Sequence, residues 1–142
     1  MSITATTEKQ FESDIEAFLI SAKGGYTKGN GTYNPKLCLY PDKLISFIQR
    51  TQSREWAAFE RQNDIDPVRK FCVAFNNACD MDGVLHVLRN GFKHRGTTFK
   101  VCYFKPESAL NDTAGIQYAE NEVECYRQWY YSCLLYTSDA AD

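Results

Sequence analysis

The chain has 142 residues, 44% of them hydrophobic and 14% aromatic, with a formal net charge of -2. That length suits one domain with a real core, the apolar content argues against disorder, and the weakly acidic balance excludes a global basic field for nucleic acid or anionic membranes. No apolar run approaches a bilayer span and residues 1–10 lack the apolar stretch of a secretory signal, so a cytoplasmic chain with no membrane partner is expected.

Thr7, Glu8, Lys9 and Gln10 form a capping-box pattern, and Phe11, Ile15, Phe18 and Leu19 recur at helical spacing. A first helix is therefore expected to start there and to end near Lys23, Gly24 and Gly25, where glycine suits the left-handed C-terminal position. Residues 26–34, rich in Gly, Asn and Thr, read as a loop or a short edge strand with turns. Pro41 suits the first turn of a second helix with Leu44, Ile45, Phe47 and Ile48 on its apolar face, and a third, after Ser53, carries Trp56 and Phe59. Asp66 followed by Pro67 pairs an N-cap acceptor with a proline at the first helical position. Val68, Phe71, Cys72, Phe75 and Cys79 then line one face of a fourth helix. After Asp82 and Gly83, a fifth short helix built on Val84, Leu85, Val87 and Leu88 stops at Asn90 and Gly91.

Beyond Gly96 the apolar period becomes two. Phe99, Val101 and Tyr103 alternate with polar positions, which predicts a strand over residues 98–104 that Pro106 ends. Residues 108–116 read as a polar connection, and residues 123–131 as a further, aromatic strand. The expected class is α+β, rich in helix, with about two to four strands. Leaving Cys133 to the terminal string considered below, Cys38, Cys72, Cys79, Cys102 and Cys125 show no Cys-x-x-Cys spacing and are expected to be reduced, mostly buried thiols with no structural zinc.

Chemistry-bearing residues are sparse. Glu12, Asp14 and Glu16 put an acidic cluster on the first helix; Glu16 falls just beyond the Leu19 edge of the apolar stripe, where a carboxylate leans toward a neighbouring sheet and is a candidate for helping to hold a divalent cation. The competing reading is a solvated acidic face. Lys93, His94 and Arg95 form a basic turn suited to phosphate contact, with an ordinary solvated loop as its competitor. His86, among apolar neighbours, reads as a packing residue. Neither a Ser/His/Asp nor a Cys/His set is recognisable, and no glycine-rich phosphate loop is followed by Lys and Ser or Thr.

Five blocks add a resemblance. Residues 2–16 (SITATTEKQFESDIE), 66–71 (DPVRKF), 91–96 (GFKHRG), 103–108 (YFKPES) and 127–132 (RQWYYS) resemble the N-terminal part of the restriction (R) subunit of type I restriction-modification enzymes. The resemblance implies an ATP-driven motor protein whose N-terminal domain is a magnesium-dependent nuclease of the PD-(D/E)xK type, acting on DNA in a complex with methylation and specificity subunits. It places a tentative accessory acid at Glu16, with Glu12 as the alternative register, and tentative DNA contact at Lys93, His94 and Arg95. The catalytic Asp and Glu-x-Lys of the family follow the position matched by Ser132, as does the ATP-binding motor. Residues 133–142 (CLLYTSDAAD) instead resemble a translated transposase mosaic-end sequencing adapter. Residues 1–132 are accordingly expected to form the helix-rich front of such a nuclease domain, truncated before its catalytic strands. Residues 133–142 are expected to be a non-native tail. The piece alone is expected to be inactive and to hold neither Mg2+ nor ATP. The alternative is a non-catalytic interaction module that docks a protein or DNA.

Overall fold

A computed structural model of the protein describes residues 3–127, with side chains from Thr7 onward. The terminal string at 133–142, and residues 128–131 of the strand expected over 123–131, lie outside them. In chain order the elements are α1 (Ile3–Leu19), β1 (Thr27–Lys28), α2 (Pro41–Thr51), α3 (Ser53–Gln62), α4 (Pro67–Asp82), α5 (Val84–Asn90), β2 (Phe92–His94), β3 (Thr97–Phe99), α6 (Asp112–Ala119) and β4 (Glu124–Cys125). The class is helix-rich α+β. Two compact units are present, Gly31–Asn121 and a smaller one joining the segment up to Asn30 with the segment from Glu122.

The larger unit is organised by aromatic side chains. Phe59 on α3, Phe71 on α4 and Phe99 on β3 meet pairwise with ring centroids 5.3, 5.0 and 5.9 Å apart and planes inclined at 79°, 89° and 87°. Edge-to-face contact sets the positive rim of one ring against the negative face of the next, adding about 0.5–1.5 kcal/mol per pair to the gain from burial. Trp56, Phe75 and Phe92 extend the cluster, and Ile45, Phe47 and Ile48 on α2, Cys72 on α4 and Val87 on α5 complete the buried core.

Local chemistry explains the helix boundaries here. Pro41 and Pro67 occupy first turns, and the Asp66 side chain accepts from Arg69 N at 3.3 Å while Asp66 itself takes a left-handed conformation, φ 50°. Arg50 near the end of α2 donates through Nε to a carboxylate oxygen of Glu120 at 2.8 Å, bringing the end of α6 to α2. At Gly91, φ is 74° and a Cβ would stand 2.1 Å from the Phe99 carbonyl oxygen. Glycine alone lets the chain leave α5 and pass this close to β3.

Several expectations need correction. The strand expected over 98–104 is the second arm of a hairpin: β2 and β3 are antiparallel, with Phe92 opposite Phe99 and His94 opposite Thr97. Arg95 and Gly96 connect them with φ of 48° and 83°, the positive pair that matches the twist of the flanking strands in a type I′ turn. Only three residues pair in each arm. From Lys100 onward the backbone is held by side-chain amides: Lys100 N donates to Gln52 Oε1 at 2.8 Å while Gln52 Nε2 donates to Lys100 O at 2.7 Å. Asn121 repeats the arrangement on Tyr103, accepting from its N–H at 2.9 Å and donating to its carbonyl. The connection expected over 108–116 contains α6 instead, capped by the Asn111 side chain, which accepts from Ala114 N. Val68, Val84 and Leu85 are exposed, so they do not belong to the core faces assigned to them. Of the five cysteines considered, Cys72 alone is buried and Cys38 is exposed; the five are free thiols.

In the smaller unit α1 begins at Ile3, so Thr7 lies inside the helix and is not its cap. The helix ends at Leu19, whose carbonyl accepts from Tyr26 N at 2.9 Å, and Gly24 and Gly25 donate to Ser21 O in the turn between. β1 and β4 then pair in parallel over two residues, Thr27 with Glu124 and Lys28 with Cys125. The apolar stripe expected to be buried is open: Phe11 is 65% and Phe18 60% exposed. The polar side of α1 is the one turned to the ladder, drawn there by Lys28 and Arg127.

Gln52 bonds both the N–H and the carbonyl of Lys100, tying two successive peptide units. Gln52→Leu should lower unfolding free energy by about 1–3 kcal/mol, the cost of leaving buried polar groups unpaired. Urea denaturation checks this; a change within experimental error would show that water replaces the amide at no cost.

Candidate functional site

Of the three acids singled out on α1, Glu12 and Glu16 lie one helical turn apart and come together around cations. Glu12 Oε2 is 3.2 Å from Arg127 Nη2; Glu16 Oε1 is 3.8 Å from Arg127 Nη1 and 4.0 Å from Lys28 Nζ. The Glu16 side chain is only 15% exposed. Its carboxylate lies beside Lys28 of β1 and Arg127, while Asp14 pairs with Gln10 in solvent. Arg127 and Lys28 thus set two positive charges beside the Glu16 carboxylate. Among the described residues, no group of three or more His, Cys, Asp or Glu side chains is arranged to hold a metal.

The basic triplet is divided by the hairpin. Lys93 and His94 belong to β2 and only Arg95 lies in the turn. Arg95 Nη1 reaches back to the carbonyl of Gln62 at the end of α3, at 3.5 Å, where a cation complements the exposed carbonyls of a helix C-terminus. Lys93 is exposed. His94 packs its ring on Phe59, centroids 4.9 Å apart, and its Nε2 is buried with no hydrogen-bond partner among the described residues. His86 is exposed, contrary to the packing role expected of it; its Nδ1 lies 3.4 Å from Asn90 Nδ2 and its carbonyl accepts from the same amide.

Lys93 and His94 line a groove of about 840 Å³ together with α4, α5 and β3. One wall follows from helical geometry. Lys70, Val73, Ala74, Asn77, Ala78 and Met81 recur at three- and four-residue steps and share a face of α4 beside its core face of Phe71, Cys72 and Phe75. Arg69 stands at the α4 end of the groove, Phe92 and Thr98 face it from the hairpin, and Asn90 with His86 closes it from α5. Three permanent cations, Arg69, Lys70 and Lys93, thus line one concavity against a single carboxylate, Asp82. Lys93 stands out in the sequence as part of a basic triplet, whereas Arg69 and Lys70 do not. The available signal was the second, mixed face of α4, which the strength of its aromatic face obscured.

Burial pushes the His94 imidazole below its ordinary value of 6.5, and the Arg95 charge beside it pushes the same way. Burial also raises the Cys72 thiol to about 11, with the Asp66 carboxylate reinforcing the shift, so this cysteine is a packing residue and not a nucleophile. For His94 the unfolded chain takes up its proton first as pH falls. The stability it contributes is complete above pH 6.5 and is lost as pH falls below that value through the lower folded one. Denaturant melts at about pH 7.5 and about pH 5.5 should show a smaller acid loss in His94→Phe than in the wild type; identical losses would assign the acid sensitivity elsewhere. Compared with known proteins, the chain matches no family, no curated protein and no solved structure.

Proposed function

We propose that the chain is the helical front of the nuclease domain of a type I restriction R subunit, a protein that cuts DNA with magnesium after ATP-driven translocation in a complex with methylation and specificity subunits. The observation that carries this reading is the resemblance of five separated blocks, from residues 2–16 to residues 127–132, whose order along the chain no single motif would reproduce by chance. The position of Glu16 supports it. The shielded carboxylate faces the side of α1 on which β1 and β4 pair, the arrangement a helix-borne accessory acid needs if it is to approach a metal held on a sheet.

In the complete enzyme the family's sheet Asp and Glu-x-Lys would hold magnesium, which activates the attacking water and neutralises charge on the phosphate. Glu16 would bear on that site through position and charge, with Glu12 one turn away. Lys93 and Arg95, both exposed on the hairpin, are the candidates for contact with the DNA backbone; His94 is held on the core side by Phe59.

A second reading, a non-catalytic module that docks a protein partner, is favoured by the open apolar stripe of Phe11, Ile15 and Phe18 on α1. Reading the source gene beyond the codon for Ser132 separates the two. An open frame carrying an Asp, then Glu-x-Lys, then a phosphate-binding loop is expected, and a stop codon there would favour the module. The purified chain by itself should leave supercoiled plasmid intact in magnesium. Cleavage that disappears in Glu16→Ala would place a working metal site within these residues.

A further inference from the structure

We propose that the groove between α4 and the β2–β3 hairpin binds a nucleotide unit, with its phosphate against Arg69, Lys70 and Lys93 and its base against the wall made by Val73 and Ala74. The inference rests on the chemistry of the groove and stands apart from the lineage proposed above.

Charge is the first observation. The chain is acidic as a whole, at -2, yet the groove gathers three permanent cations from two elements against one acid. Arg69, Lys70 and Lys93 form no ion pair among the described residues. Unpaired cations from separate elements lining one concavity attract an anion more strongly than the same charges spread over a convex surface, because the low-dielectric walls focus their field. Arginine supplies a planar fork suited to phosphate oxygens and lysine a mobile point charge.

Shape and the remaining lining select among anions. A volume of about 840 Å³ lies in the range of about 300–1,000 Å³ usual for organic ligands and exceeds what a bare phosphate fills. Next to the cations along α4 come Val73 and Ala74, an apolar strip one turn further on, and then Asn77, an exposed amide with both a donor and an acceptor. Cations beside an apolar surface beside an amide complement, in order, the groups of a nucleotide: phosphate, flat ring, and a hydrogen-bonding edge that asparagine matches. Two sources share that chemistry, a free nucleotide and a nucleotide within a single DNA strand.

The test uses the full chain at low salt with two probes, a fluorescent deoxynucleoside monophosphate and a short fluorescein-labelled oligothymidylate, followed by anisotropy. Lys70→Ala and Lys93→Ala should each weaken binding about tenfold, and Val73→Glu should abolish it. Lys105→Ala, an exposed cation outside the groove, should change it less than about twofold, since isolated surface charges add little to a specific contact. All four positions are exposed, and unchanged thermal melts confirm that each variant folds. Binding of the monophosphate by itself identifies a free nucleotide as the source; binding of the oligonucleotide alone identifies a DNA strand. Either carries the proposal. Displacement by inorganic phosphate at the same concentration as the nucleotide, equal loss in Lys105→Ala, or no binding of either probe overturns it. A stop codon after Ser132 would remove the lineage and leave these outcomes untouched.

Discussion

Three phenylalanines carry the larger unit. Phe59, Phe71 and Phe99 come from three different elements, and their mutual edge-to-face contacts specify relative orientation as well as proximity. Once α3, α4 and β3 are held in that relation, α4 has a face left over. The groove exists because one helix satisfies the core with Phe71, Cys72 and Phe75 and presents Lys70, Val73, Ala74 and Asn77 on the adjacent face. The hairpin, anchored by Phe99 and Phe92 in the cluster, supplies the opposite side. Core and site are therefore consequences of a single packing arrangement.

The two units differ in how their apolar residues are spent. In Gly31–Asn121 the predicted apolar faces of α2, α3 and α4 are buried almost as the spacing indicates. On α1 the same spacing leads to the opposite outcome, an open stripe and a partly shielded acid. Surface ion pairs contribute little stability, so the contacts of Glu12 and Glu16 with Arg127 orient the helix more than they hold it.

Legibility follows the range of the interactions involved. Caps and first-turn prolines act within a few residues, and Pro41, Asp66 and Pro67 place their helices correctly from local chemistry alone. The hairpin is half legible: alternation at Phe99 is real, but the basic triplet Lys93, His94 and Arg95 reads as a turn before the strand, whereas Lys93 and His94 are the first arm and Arg95 and Gly96 the turn. Charge at Lys93 was visible in sequence, whereas its company was not, because Arg69 and Lys70 lie more than twenty positions earlier and join it only through the fold. His86 and His94 exchanged expectations for the same reason. Their burial depends on which helix or strand packs against them, and Phe59 makes that contact with His94 alone.

Alternation continuing to Tyr103 misled for a further reason. Lys100 and Tyr103 have their backbone groups gripped by side chains 48 and 18 positions distant, a pairing that imitates one rung of a sheet without a second strand. Such a grip is indifferent to what residue 100 or residue 103 is, since it reads main-chain atoms that every residue but proline offers. The information that shapes this stretch is therefore stored in Gln52 and Asn121. Side chains of the tethered segment answer only to the core that Val101 and Tyr103 touch, so the residues to compare between related chains are those that hold and not those that are held.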